Sequence, residues 1–312
     1  MKKLMLTVVC AAFVLTLSAC GPEGDNRRSG SGAIVYDGET NLANILSSFR
    51  VHGVTEWQDI LALYNALADP MQYRNYDTVL YSFEGQGTMF SRAIYVIITN
   101  ILVVIGADPE YSEEYEPYKQ ILKRALENPG SGGIGDYVFA YLALKTAGEE
   151  FNETPVREHL EGLQLADGGF ASSGSGVSEV DMTAAALPAL VLMDSESVSG
   201  ALEFLRGSIN EDGTFSNAGE PNAQSTALAL SALMLYYGAD AGIIQQAREG
   251  LGLFETGGGF SRLQGGAREP IATAYGAVAL GDLQNGINVW LKLYNEWQLR
   301  FGYGYMELIT PD

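Results

Sequence analysis

The sequence predicts an all-α protein in which helical hairpins repeat around an axis and close into an α6/α6 toroid. The first observation behind this prediction is a regular repeat. Three turns ending in phenylalanine stand 45 residues apart, at Phe170, Phe215 and Phe260, and each precedes a polar loop and an alanine-rich helix. Such a repeat indicates units that bury their apolar faces against their neighbours.

The second observation is an alternation in helix character. The predicted helices over 181–193, 222–237 and 270–281 are rich in alanine and nearly uncharged beyond the first turn. A helix without a polar face is typical of a buried position. The helices that follow them carry charged residues and therefore have a solvent-exposed face. Six inner and six outer helices would close into one toroid domain spanning 35–312.

Apolar spacing and helix breakers predict each element in order. No segment alternates strongly enough between apolar and polar residues to predict a strand. The twelve predicted helices cover 40–51, 56–68, 87–106, 115–127, 136–147, 154–164, 181–193, 197–207, 222–237, 241–251, 270–281 and 284–297.

Long and short loops alternate in the second half of the chain. The long loops cover 165–180, 208–221 and 252–269, whereas the connections within hairpins have two or three residues. Because successive helices are antiparallel, the long loops gather at the end where the inner helices begin. Loops of this length are usually functional, and helix N-termini favour negative charge. We therefore expect the site at this mouth of the toroid.

The N-terminus predicts export and attachment to a membrane. Two lysines, an apolar run and small residues fill 1–19, as in a signal peptide. The sequence Leu-Ser-Ala-Cys resembles the lipobox of bacterial lipoproteins, which implies cleavage before Cys20 and acylation of its thiol. An ordinary secretion signal is the alternative. Residues 20–34 predict a flexible tether, so the domain would face the extracytoplasmic side of a bacterial membrane.

Composition excludes several classes of function. The net charge of −20 disfavours nucleic acid and repels anionic headgroups. Cys10 lies within the signal, so the mature domain has no cysteine for disulfides or thiolate ligands. His52 and His159 lie outside the repeat motifs and lack the spacing of metal ligands. We therefore predict no metal site and no required cofactor.

The turn QLADGGF, over 164–170, resembles the QxxDGGF repeat of the squalene cyclase and protein prenyltransferase superfamily, whose members fold as α/α toroids. Further stretches over 91–109, 136–145, 179–190 and 222–233 are similar to bacterial surface proteins with a terpenoid-cyclase-like toroid. Those proteins are related to the cobalamin carriers transcobalamin and intrinsic factor. The resemblance implies cobalamin or another corrinoid as a candidate ligand.

Prenyltransferases also hold a catalytic zinc ion with Asp, Cys and His. The mature domain offers no cysteine for such a site, so prenyltransferase activity is not expected. The superfamily contains enzymes, carriers and structural modules, and the fold does not choose among them.

The start of one inner helix carries the candidate catalytic residues. Glu179, Asp181 and Met182 belong to EVDMTA, which resembles the DxDDTA motif of class II terpene cyclases. In that motif the middle aspartate protonates an alkene, so the resemblance implies Asp181 as acid and Glu179 as its neighbour. Met182 replaces the last aspartate. The structural alternative is that these acids satisfy free N–H groups at the helix start.

Other residues of the mouth are candidate ligand contacts. The three repeated phenylalanines could form a ligand platform or anchor each loop by packing. The acidic residues nearby could serve as an acid and base pair in sugar cleavage, but no spacing singles out a pair. The candidate ligand-binding residues are Asp167, Phe170, Phe215, Gln224 and Phe260.

Three functions remain open. The first is a membrane-anchored binding protein that presents its mouth to a small molecule or a surface partner. Cobalamin carriers cover their ligand with a small β domain, whereas this chain ends in a short tail. A partner protein could supply that half, or the toroid could bind another ligand. The second function is a terpene-cyclase-like or carbohydrate-active enzyme that uses Asp181 and its neighbours. The third is a purely structural surface module.

Overall fold

The computed structural model describes residues 38–106, 114–172 and 176–302, with side chains from Leu42 onward. The predicted signal peptide, the tether with Cys20 and the tail 303–312 lie outside these residues. The described part is mainly helical. Its α-helices are α1 Gly38–His52, α2 Trp57–Asn65, α3 Tyr76–Tyr81, α4 Met89–Ile105, α5 Tyr115–Glu127, α6 Ile134–Thr146, α7 Thr154–Gly162, α8 Val180–Leu192, α9 Val198–Gly207, α10 Ala223–Leu233, α11 Gly242–Gly252, α12 Pro270–Asn285 and α13 Val289–Phe301.

The inner ring consists of α2, α4, α6, α8, α10 and α12. Each of these helices packs against the next, and α12 packs against α2, which closes the ring. The predicted α/α toroid is therefore confirmed. Alanine dominates the contact faces of α8 and α10, where Ala184, Ala186, Ala227 and Ala229 are buried. Side chains this small let the backbones of neighbouring helices approach closely.

The turn glycines show how the repeat builds the outer ring. A Cβ on Gly168 would lie 2.3 Å from the carbonyl oxygen of Gly200 in α9. A Cβ on Gly213 would lie 2.0 Å from the carbonyl oxygen of Gln246 in α11. Both turn glycines have positive φ, which side chains disfavour. These two turns are therefore seated directly on the backbone of an outer helix, whereas Gly258 in the third turn faces the Ser48 side chain of α1 at 3.6 Å.

The last helix departs from the prediction. The segment 284–297 was expected to be the outer partner of the preceding inner helix. Instead, α13 contacts α4, α6, α8 and α12. Trp297 packs on Gly148, just past the end of α6, and Arg300 bonds the carbonyl of Val104 near the end of α4. The helix thus lies across the C-terminal ends of the inner ring, where its apolar face covers the open end of the barrel.

Two smaller departures concern the loops. The segment 69–86, expected to be a loop, contains α3, which buries Val79 and Leu80. Strands were not expected, yet two short antiparallel hairpins stand in the long loops. They are β1 Ser216–Asn217 with β2 Glu220–Pro221, and β3 Glu255–Thr256 with β4 Gly259–Phe260.

The first hairpin turns through Ala218 and Gly219, both with positive φ. Positive φ at both central residues is typical of a two-residue hairpin turn. Of the helices in the described part of the chain, none has the length and apolar character needed to cross a membrane.

Candidate functional site

Each repeated turn is tied to the start of an inner helix by the same hydrogen bonds. The backbone N–H of Phe170 donates to Thr183 Oγ1 at 2.9 Å. The same bond, at 3.0 Å, joins Phe215 to Thr226 and Phe260 to Thr273. These bonds hold the loops against the mouth of the barrel and fix its rim.

The three phenylalanines themselves are not part of a ligand surface. Phe170, Phe215 and Phe260 are completely buried, and their rings do not line the central cavity. A ring enclosed by protein on all sides cannot serve as a platform for a ligand. The candidate ligand role is therefore corrected, and their role is to anchor the loops by packing.

A cavity of about 300 Å³ occupies the middle of the toroid. It extends from the starts of the inner helices to α13, which lies across the far end. Aromatic and aliphatic side chains form most of its wall, with a few polar groups at the mouth and at the floor. Its lining residues are Trp57, Leu61, Phe139, Glu179, Asp181, Met182, Ala184, Ala185, Pro188, Asn217, Gln224, Ala227, Leu228, Ser231, Ala232, Tyr275, Val278, Asn288 and Trp290.

Asp181 lies at the mouth of this cavity and faces into it. Its Oδ2 accepts a hydrogen bond from Asn217 Nδ2 at 3.0 Å. Its Oδ1 is buried and has no hydrogen-bond partner among the described residues. Burial raises the pKa of Asp181 above its usual value, and the neighbouring Ser225 and Asn217 side chains oppose this only in part. The site thus holds a desolvated carboxyl group beside the Ser225 hydroxyl and the Asn217 amide.

The helix-capping interpretation of these acids does not match their contacts. Glu179 is the N-cap residue of α8, but its side chain makes no capping bond. Its Oε1 accepts instead from the backbone N–H and the hydroxyl of Ser172, at 3.3 and 2.8 Å. Asp181 bonds Asn217 from the first loop hairpin rather than its own helix. Neither side chain therefore caps α8 by a hydrogen bond, although Asp181 lies in its first turn, where negative charge suits the helix dipole.

The remaining candidate residues divide between the cavity and the surface. Gln224 lines the cavity at the start of α10, as a ligand contact should. Asp167 is exposed and outside the cavity, where it accepts from Ser178 Oγ at 2.6 Å and from the N–H of Gly169 at 3.1 Å. The Ser178 hydroxyl lowers the pKa of Asp167. Its role is therefore to stabilise the turn, and its candidate role in ligand binding is not supported.

The aromatic wall of the cavity was not found from the sequence. Trp57, Phe139 and Trp290 come from α2, α6 and α13, and Tyr275 comes from α12. On the inner helices such residues share the spacing of core residues. In the folded structure Phe139 and Tyr275 are partly exposed, whereas the residues on either side of them are buried. This difference separates cavity residues from core residues, and it exists only in the closed ring.

The floor of the cavity contains a buried polar network. Asn288 Nδ2 donates to the carbonyl of Ser231 at 2.9 Å, and Asn65 Nδ2 donates to Asp282 Oδ1 at 2.8 Å. Ser231 Oγ also bonds the carboxyl group of Asp282. Burial raises the pKa of Asp282 to about 8. This network joins α2, α10 and α12 to the first turn of α13.

Among the described residues, no group of three His, Asp or Glu side chains is placed to hold a metal ion. His159 packs edge-on against Tyr137, with ring centroids 4.4 Å apart, outside the cavity. Its pKa is lowered by burial.

Comparison with known proteins supports the fold and no finer assignment. No protein-family model matches the chain, and no curated protein matches its sequence. Among solved structures, the chain is similar to Candida albicans protein geranylgeranyltransferase-I complexed with GGPP. The sequence identity is 14%, the TM-score is 0.51, and the match covers 70% of this chain and 75% of that chain.

A similarity at this identity concerns the fold. The chain has an α/α toroid like that of a protein prenyltransferase. The similarity to lipid-anchored surface proteins and to cobalamin carriers stays a prediction.

Proposed function

We propose that this protein is a binding protein that holds a small, largely apolar molecule in the central cavity of its toroid. The observation that carries this proposal is the cavity itself, closed at one end by α13 and walled by four aromatic residues, Trp57, Phe139, Tyr275 and Trp290. Concave, mostly apolar cavities with a few placed polar groups are typical of small-molecule sites. Asn217, Gln224 and Asp181 supply those polar groups at the entrance.

The size of the cavity bears on the choice of ligand. A volume of about 300 Å³ is at the small end of the range for such sites. A corrinoid is much larger, so it would have to lie on the mouth, where a partner protein would cover its outer side. A compact ligand that fits between the inner helices is favoured over a corrinoid.

Export and lipid attachment at Cys20 complete the proposed function. The Leu-Ser-Ala-Cys sequence and the Gly/Ser-rich tether support this part of the proposal. The lipid would hold the toroid near the membrane while the acidic surface keeps it off anionic headgroups. A captured ligand would then be concentrated at the cell surface.

A second candidate function is catalysis by Asp181. A proton donor needs a carboxyl group that stays protonated near neutral pH, and burial raises the pKa of Asp181 in that direction. The cavity walls could shield a carbocation, and the sequence resembles the cyclase motif. Glu179 and Met182 depart from that motif, however. Sugar cleavage is less favoured, because Asp181 and Glu179 lie at the mouth of an enclosed cavity rather than along an open groove.

The experiment that tests the proposed function is a ligand screen by thermal shift and fluorescence on the purified chain. The probes are a linear isoprenoid alcohol, cobinamide, cobalamin and a uronic oligosaccharide. A ligand that binds the folded state raises its apparent stability by mass action. Saturable stabilisation by a compact apolar probe supports cavity binding, and stabilisation by the corrinoids alone would overturn it.

Product analysis separates the two candidate functions. The isoprenoid is incubated with the protein in D₂O, and the products are examined by mass spectrometry. A cyclised, deuterium-labelled product that disappears in Asp181→Asn would establish catalysis. Recovery of unchanged isoprenoid from a saturated protein would leave binding as the function.

A further inference from the structure

The charged groups that line the cavity are all of one sign. Glu179 and Asp181 are its charged lining residues, and none of the described lining residues is basic. Asp181 Oδ1 is buried and makes no hydrogen bond within the described structure. Arg262 reduces the pKa shift of Asp181 to a small extent, but its side chain is exposed and does not line the cavity. A ligand that enters therefore meets two carboxyl groups at the mouth and no basic side chain among the described lining residues.

The walls below these acids are aromatic and stand nearly at right angles to one another. The ring centroids of Trp57 and Phe139 are 5.6 Å apart with an interplanar angle of 83°. Those of Phe139 and Trp290 are 6.3 Å apart with an angle of 68°. Rings at these angles pack edge to face rather than in a stack. The faces of aromatic rings carry partial negative charge and attract cations.

A further buried acceptor lies behind this wall. Gln58 is 8% exposed and donates from Nε2 to Tyr275 Oη at 3.3 Å, while its Oε1 is buried without a partner among the described residues. Asp59, beside it in α2, is 1% exposed and likewise has an unpartnered Oδ1. Neither side chain lines the cavity, but Gln58 bonds the lining residue Tyr275, whose pKa is raised by burial and in part by the charge of Asp181.

From these features we infer that the ligand of the cavity is an organic cation, an amine or quaternary ammonium compound with an apolar part. The inference rests on the proposed function, because it names the chemical class of the cavity's ligand. The cationic group would lie near Asp181, and the apolar part would fill the space between the aromatic rings. An anion would be repelled by Glu179 and Asp181, and a neutral apolar ligand would leave the Asp181 carboxyl group buried and unpaired.

The test compares choline with 3,3-dimethylbutan-1-ol, a neutral molecule of nearly the same shape. Binding to the purified chain is followed by titration calorimetry and by tryptophan fluorescence, since Trp57 and Trp290 line the cavity. We expect choline to bind at least about tenfold more tightly than the neutral analogue. Asp181→Asn should weaken choline about tenfold and leave the analogue unchanged. Asp167→Asn, an exposed acid outside the cavity, is the matched control and should change neither.

The outcomes separate this inference from the function on which it rests. If the neutral analogue binds as tightly as choline or more tightly, the cation inference is overturned while cavity binding stands. If neither probe shows saturable binding, the cation inference is overturned, and the thermal-shift screen with the isoprenoid alcohol decides separately whether cavity binding stands. The comparison of the two probes on the unchanged protein needs no variant. A variant that fails to fold therefore leaves the test intact.

Discussion

The buried carboxyl group of Asp282 makes stability depend on pH in a predictable direction. Its side chain is completely buried on α12, where it accepts hydrogen bonds from Asn65 and Ser231. Burial raises its pKa from 3.8 to about 8. Between these two values the folded state keeps the proton and the unfolded state has lost it. The contribution of Asp282 to stability is therefore fully present below about pH 4 and is lost as the pH rises towards 8.

The magnitude follows from the size of the shift. Each unit of pH within this window changes the free energy of unfolding by as much as 1.36 kcal/mol. From pH 5 to pH 8, Asp282 should thus remove about 4 kcal/mol of stability. In Asp282→Asn the side chain keeps its shape and no longer titrates, so this loss should disappear. Groups that do not interact with Asp282 titrate equally in both proteins and cancel in the difference, and Lys292 is the basic group that does interact with it.

The assay is urea unfolding of both proteins at pH 5 and pH 8, followed by far-UV circular dichroism. We expect the free energy of unfolding of Asp282→Asn, relative to the original protein, to rise by about 4 kcal/mol between the two pH values. Parallel pH dependence of the two proteins, within about 0.5 kcal/mol, would show that Asp282 is ionised in the folded state. That result would refute the reasoning.

The remaining predictions concern the repeat, the core and the anchor. Thr226→Val should destabilise the fold by about 1–3 kcal/mol, because the buried N–H of Phe215 loses its acceptor; urea unfolding checks this against exposed Ser199→Ala. Gly276→Ala should lower the free energy of unfolding by about 1–3 kcal/mol, since the new Cβ would lie 2.3 Å from the Phe260 ring. Gly242→Ala, with open space around the new Cβ, should leave the free energy of unfolding unchanged. Equal losses of stability in the two variants would contradict the packing argument. Cys20→Ser should move the protein from the detergent phase to the aqueous phase in Triton X-114 partition, and unchanged partition would contradict lipid attachment.

Most of the toroid could be predicted because its signals are local. The turn glycines, the phenylalanines and the apolar spacing of the inner helices each act within one repeat, so the repeat and its closure into a ring follow from them. The position of α13 could not be predicted in this way. An amphipathic helix with Trp290 and Leu293 on one face could bury that face either in the outer ring or across the open end of the barrel. Only the shape of the assembled ring decides between them.

The candidate site was predicted in part for the same reason. Asp181, Glu179 and Gln224 were placed at the mouth because helix starts and loop lengths identify that end of the molecule. The partner of Asp181, Asn217, belongs to a two-residue strand too short to leave an alternating pattern. The phenylalanines were ambiguous, since a buried anchor and an exposed platform have the same residue type and spacing.

The sequence by itself thus determined the repeat, the alternation of inner and outer helices, and the end of the barrel where the acids gather. Tertiary structure alone decided the cavity. Trp57, Phe139 and Trp290 are far apart in the chain, and they meet because the ring closes and α13 covers its far end. The spacing of apolar residues in the sequence indicates which face of a helix is apolar. Whether that face packs against a neighbour or borders a cavity depends on the distances between helices, which no single segment contains.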